Sequence, residues 1–268
     1  MNHKYFEPNN KVIHLIEEYF HLSFDENDIP FKSVILPIGL THLFYIEAGT
    51  QKVKVNGDEI LLEDLIITGQ YFRSYKFSTN SITTSIGANL HPTALHKLLN
   101  IDVSELENKH TPLEQINKTF HNKLLPIFQD SKNSIDLIDT LNLFFLNASL
   151  HINKNTKQID RAISLIREKN GLLTVLDIVD EISVSQKTLE IQFKKIVGIT
   201  PGKYIRQFRF LNLMKNYIST EIEINELIYK YNYYDSSHFA KDFKLFMNQD
   251  FNSFFKQDYS FLKKYLKE

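Results

Sequence analysis

Two clusters of polar side chains recur fifty residues apart in the second half of this chain. One holds Gln186, Lys187, Glu190, Ile191 and Lys194; the other holds Ser236, Ser237, Ala240, Lys241 and Lys244. Amides, hydroxyls, carboxylates and ammonium groups are the donors and acceptors that read base edges, and lysines neutralise phosphates. Other chemistries are poorly represented. With no cysteine there is no disulfide, no thiol nucleophile and no cysteine-ligated zinc. The ten histidines are scattered, and only His91 and His96 lie close together. No His-x-His with a following Glu appears, so no metal site is expected. Gly69 does not sit in a phosphate-cradling loop, and no dinucleotide fingerprint occurs. No catalytic constellation emerges, and an enzyme is not expected.

The elements that must carry the two clusters are legible from the same repeat. Ser185 matches Asp235, Leu189 matches Phe239, Phe193 matches Phe243, Lys194 matches Lys244, Gly198 matches Asn248, Thr200 matches Asp250 and Tyr204 matches Phe254. Each unit reads as a short amphipathic helix (Val175–Ile182; Ile224–Tyr231), a tight turn, and a second helix capped by Ser185 or Asp235. Apolar residues at i and i+4 give the second helix one buried face and leave the polar cluster outward. That is the helix-turn-helix plan, in which the outward N-terminal positions reach the major groove. Between the units, Thr200-Pro201 predicts a cap and a first-turn proline, opening a long helix that runs to Tyr217.

Charge follows the same division. From Lys157 onward there are 18 Lys+Arg against 14 Asp+Glu, which leaves 13 against 18 before it. The first half is patterned differently. A helix is expected over Asn10–Tyr19, then short apolar or alternating runs at 33–36, 42–46, 52–55, 59–62, 66–68, 74–77 and 82–86. Asn56-Gly57 between two such runs predicts a hairpin, because both turn positions need positive φ. This is a mostly antiparallel β region. Phe44, Tyr45, Tyr71, Phe72, Tyr75 and Phe77 are its aromatics, suited to plain core or to a ligand pocket. Helices are expected over Thr93–Leu99, Leu113–Gln129 and Ile135–Ile152, and a polar linker over His151–Gln158. No apolar run approaches membrane-spanning length, and the start lacks a signal core, so a cytoplasmic protein with no membrane partner is expected.

The segment from Val184 to Tyr204 resembles the first recognition helix and following turn of AraC/XylS regulators. Tyr233 to Lys244 is similar to their second signature, and Arg206 and Arg209-Phe210 sit where their connecting helix carries arginines. The resemblance covers Ile159 to Phe255. It implies a bacterial transcription regulator that binds double-stranded DNA. Gln186, Lys187 and Glu190 would face bases from the first head, and Ser236, Ser237 and Lys241 from the second. Lys194, Lys195, Arg206 and Lys244 would face phosphates, and His238 would be structural, stacked beside Phe239. The chain departs from the pattern at Ile191, commonly arginine; at Asn232, which replaces a turn glycine; at Ile228, which replaces a small alanine; and at Asp250-Phe251.

The stretches Pro37–Ile46, Ile67–Gly69 and Ser85–Leu95 are similar to an uncharacterised β-rich domain found ahead of this module. In the wider family such domains are cupin-like, and bind small effectors or mediate homodimerisation. The expectation is an α+β protein: an N-terminal antiparallel β domain, cupin-like or related, with flanking helices, and a C-terminal all-α domain of two helix-turn-helix units joined by a long helix. Its divisions are residues 1–120 for a sensor or dimerisation domain, 121–157 for a helical connector and linker, and 158–260 for the DNA-binding domain. No cofactor is expected. The alternative is a ligand-binding or protein-interaction protein whose drifted helix-turn-helix no longer reads DNA.

Overall fold

The computed structural model describes residues 1–220, 222–256 and 266. The first ninety residues fold into nine strands: β1 (Asn2–Phe6), β2 (Ile16–Phe24), β3 (Phe31–Ile35), β4 (Thr41–Ala48), β5 (Gln51–Val55), β6 (Asp58–Leu62), β7 (Leu65–Thr68), β8 (Tyr75–Thr79) and β9 (Thr83–Leu90). After α1 (Ala94–Leu99) and a 3-10 turn at Val103–Leu106, the chain adds β10 (His110–Pro112). All strand pairs are antiparallel, in two sheets ordered β1-β2-β9-β4-β7-β10 and β3-β8-β5-β6.

Every expected strand is present. The hairpin at Asn56-Gly57 joins β5 to β6 with φ of 52° and 104° at its two turn residues. The helix expected over Asn10–Tyr19 is not formed. Residues 10–15 make turns, and Ile16 onward becomes β2, paired to β1 on one side and β9 on the other. The apolar spacing of Val12, Leu15, Ile16 and Tyr19 suits a helix, but long-range pairing decides, since strand preference is set by neighbours rather than by local pattern.

The second half is helical: α2 (Leu113–Ile116), α3 (Lys118–Asp130), α4 (Ser134–Leu146), α5 (Lys154–Glu168), α6 (Val175–Ile182), α7 (Gln186–Val197), α8 (Pro201–Ser219), α9 (Ile224–Lys230), α10 (Ser236–Met247) and α11 (Phe251–Phe255). The helix expected over Leu113–Gln129 is interrupted at Asn117, whose side chain caps α3 through the Phe120 N–H. The last five residues of the expected linker belong to α5, which opens on a capping box between Asn153 and Thr156. The expected C-terminal boundary at residue 260 lies outside the described residues.

Besides a core between the two sheets around Phe24, Phe44, Val53 and Phe77, three cores hold the helices. One lies within the β region and packs α3 and α4 onto it. A second holds the first helix-turn-helix unit around Ile163, Ile178, Phe193 and Tyr204. The third holds the second unit around Phe210, Leu227, Phe243 and Phe246, and also takes in Val34, Leu36 and Phe72 from the β region.

Candidate nucleic-acid interface

Helices α7 and α10 each begin at a side chain that satisfies an otherwise orphaned amide. Ser185 Oγ accepts from the Thr188 N–H at 3.1 Å, and Asp235 Oδ1 accepts from the His238 N–H at 2.7 Å. The buried faces match at the fifty-residue offset: Leu189, Phe193, Ile196 and Val197 in α7, and Phe239, Phe243, Phe246 and Met247 in α10. Both helices end in a left-handed residue, Gly198 at φ 106° and Asn248 at φ 55°. Both are followed by a capped helix, Thr200 accepting from Lys203 and Asp250 from Ser253. The repeat is therefore structural and not only textual. One asymmetry stands out: Thr174 caps α6 through a capping box, whereas Glu223 gives α9 no side-chain cap.

With those faces buried, the polar clusters lie outward. Gln186, Lys187, Glu190, Lys194 and Lys195 are exposed on α7, and Ser236, Ser237, Lys241 and Lys244 are exposed on α10. Gln186 Nε2 donates to Glu190 Oε1 at 2.8 Å, so two of the base-facing candidates hold one another in register. Ile191 is also outward, 53% exposed. Ile228 fits without disruption at 3% exposed, and Asn232 takes φ 55° as the turn requires.

The connecting helix α8 is 19 residues long, about 28 Å at 1.5 Å per residue. It carries Arg206, whose Nε donates to Asp242 Oδ1 at 2.8 Å and whose Nη2 donates to the same oxygen. Tyr233 OH donates to the other carboxylate oxygen at 3.1 Å, and the Arg209 guanidinium stacks 4.8 Å from the Tyr233 ring. Arg206 is thus engaged in binding α8 to α10, while the other nine site candidates point to solvent. Asp242 is fully buried and escaped the sequence reading. Its signal was an acid three residues after Phe239, on the face that otherwise carries phenylalanines. Burial pushes the Tyr233 phenol above its ordinary range. His238 packs edge-on to Tyr233, with ring centroids 5.1 Å apart. Tyr234, just before the cap, is 87% exposed and was also not singled out.

In the β region a cavity of about 140 Å³ lies between the two sheets. Of the six aromatics noted in the sequence, Phe44, Tyr75 and Phe77 line it, Tyr45 packs on Phe128, and Tyr71 stacks on Tyr75. Phe72 leaves the β core and meets Phe246 of α10, ring centroids 5.1 Å apart.

Comparisons with known proteins follow this division. Residues 178–257 match the family described as "Helix-turn-helix domain", and residues 4–112 match a "Domain of unknown function (DUF6597)". The HTH-type transcriptional activator RhaS of Escherichia coli (strain K12 / DH10B) is 24% identical over 127 residues, 43% of this chain and 45% of that protein. The match spans less than half the length of the curated relatives. An apo ToxT variant from Vibrio cholerae strain SCE256 is 12% identical, covering 93% of this chain and 98% of that one at a TM-score of 0.48. The unsaturated fatty acid-bound wild-type ToxT is 13% identical over 87% and 91%, at a TM-score of 0.45. Residues 178–257 thus match a helix-turn-helix family where the fold shows two such units, and residues 4–112 match a domain of unknown function where it shows the β region.

Proposed function

We propose that this protein is a sequence-specific DNA-binding transcriptional regulator, responsive to a small molecule through its N-terminal domain and without catalytic activity of its own. The observation that carries this reading is the paired geometry. Two capped helices at a fixed repeat bury equivalent faces and turn equivalent polar faces outward. Gln186, Lys187 and Glu190 read bases from the first head, and Ser236, Ser237 and Lys241 from the second. Lys194, Lys195 and Lys244 contact phosphates, which position the heads without specifying sequence. Arg206 keeps Nη1 for a phosphate while its other nitrogens hold Asp242. Residues 1–120 form the sensor, 121–157 the connector and 158–260 the DNA-binding domain. The protein works in the cytoplasm with no membrane partner, and the N-terminal domain is also the place for homodimerisation.

The test is selection of bound fragments from random or genomic DNA by the purified full chain. An enriched motif is expected, with affinity that falls as salt rises. Lys187→Glu with Lys241→Glu should abolish binding while leaving the circular dichroism spectrum unchanged; retained affinity overturns the residue assignment. A second reading is favoured by Ile191, whose exposed apolar side chain on the first head suits a protein contact. Under it the heads have lost DNA readout, and selection returns no motif.

A further inference from the structure

The sensor reading leaves open what the cavity accepts, and its walls answer in chemical terms. Among the described residues, none of its lining side chains is a lysine, arginine, aspartate or glutamate. Its polar lining groups are His3, Tyr5, His42, Gln51, Tyr75, Ser85, Asn89 and His110. Burial holds His42 and His110 below the ordinary histidine value and the Tyr75 phenol above its own. The nearest formal charge the network reaches is Glu18, whose Oε1 accepts from Asn89 Nδ2 at 2.6 Å. An anion placed here would lose its hydration and meet no lysine or arginine.

The same network fixes the hydrogen-bonding sense of the site. A carboxylate only accepts, so the Asn89 amide nitrogen must face Glu18 and its oxygen must face His42. His42 Nδ1 lies 2.6 Å from that oxygen, so Nδ1 carries the proton. The neutral ring then offers Nε2 as an acceptor, which asks a ligand for a donor. A cavity of about 140 Å³ also sets the size, since an apolar cavity of roughly 150 Å³ holds one benzene ring.

One segment bonded to the wall touches both helix-turn-helix units. Between β7 and β8, Gly69–Ser74 runs as irregular chain. A Cβ on Gly69 would lie 1.9 Å from the Leu106 carbonyl oxygen, so only glycine allows this path. Gln70 lies against Gly198, the cap that ends α7. Tyr71 OH is 2.6 Å from Nδ1 of His110, in the cavity wall. Phe72 packs on Phe246, the Ser74 N–H donates to the Phe246 carbonyl at 2.6 Å, and Asn248 Nδ2 donates to the Ser74 carbonyl at 2.8 Å. Residues of one short segment thus meet the end of the first recognition helix, the wall residue His110 and the end of the second.

We propose that the cavity binds a small uncharged molecule, about one aromatic ring in size and bearing a hydrogen-bond donor, and that Gly69–Ser74 passes its occupancy to both recognition helices. This rests on reading the N-terminal domain as a small-molecule sensor. The test is calorimetric titration of the full chain with phenol, toluene and benzoate. Phenol should bind one-to-one, toluene about ten-fold more weakly for want of a donor, and benzoate not at all. His42→Leu should bring phenol down to the toluene level while toluene still binds, which shows that the cavity remains formed. Equal affinity for phenol and toluene, or no binding by any probe, overturns the ligand class. Benzoate binding in preference overturns it too but leaves the sensor reading standing. With phenol bound, amide exchange should change at Ser74 and across residues 197–199 and 245–248. Phenol binding with no change at the two helix ends overturns the transmission and, with it, the sensor reading. Neither measurement involves DNA.

Discussion

A fully buried carboxylate needs a countercharge, and Asp242 finds its own in Arg206, with Tyr233 on the second oxygen. The two ends of this pair are not equivalent. The Arg206 side chain is 40% exposed and that of Asp242 is 0% exposed. Removing Asp242 leaves an arginine that can reach water; removing Arg206 leaves a buried charge with one neutral donor. Arg206→Leu should therefore cost about 3 kcal/mol in urea unfolding, and Asp242→Asn about 1–2 kcal/mol. Equal costs would mean that the pair is solvated. A related prediction concerns Gln207, which is 1% exposed on α8 and whose two side-chain polar atoms have no partner among the described residues. Gln207→Met keeps the volume and removes the unmet groups, so thermal unfolding should show a gain of about 1 kcal/mol. A loss would show that the amide is satisfied in solution. The outward polar residues were readable from sequence because helix periodicity sorts faces locally. Asp242 was not, because its partner comes from another helix 36 residues earlier.

The two helix-turn-helix units differ most where they begin. Thr174 caps α6 with a reciprocal box, whereas the Glu223 side chain makes no cap bond for α9. Glu223→Asp should supply that bond and stabilise the second unit by about 0.5–1 kcal/mol, read as a shift in the urea midpoint. An unchanged midpoint would place the weakness of α9 elsewhere. The turn after α9 depends on a left-handed residue, and Asn232 serves at φ 55°. Caps, first-turn proline and hairpin turn were all legible because each is a contact within a few residues. Where the pattern misled, the deciding contacts were distant. The apolar spacing at Val12–Tyr19 matches a helix, yet β2 is held by pairing with β9, 59 to 74 residues away. The β10 strand at His110–Pro112 went unread for the same reason, being only three residues of edge pairing to β7.

At the scale of the molecule, the β domain and the two heads are packed as one piece. Glu17 accepts from Arg167 at 2.8 Å, Glu107 accepts from Lys203 at 2.7 Å, and Asp160 accepts from Lys97 at 2.9 Å. No local pattern announces such contacts, so the cavity and its link to the heads were beyond sequence reading. Acid should loosen the β domain. His110 is held down to about 3, first by burial and then by the nearby His42, against an ordinary value of 6.5. The unfolded chain takes up a proton below pH 6.5 that the folded chain refuses, so stability is full above that pH and declines as pH falls toward 3. The urea midpoint should drop between pH 7 and 5 in the native chain, and drop less in His110→Gln. The central claim, two reading heads on one chain, is tested most directly by the shape of the selected DNA motif. The geometry predicts two blocks about one turn apart, roughly 10 base pairs. Lys241→Glu with Ser237→Ala should erase one block and leave the other intact. A motif of a single block, unchanged in form by substitutions in either head, would contradict it.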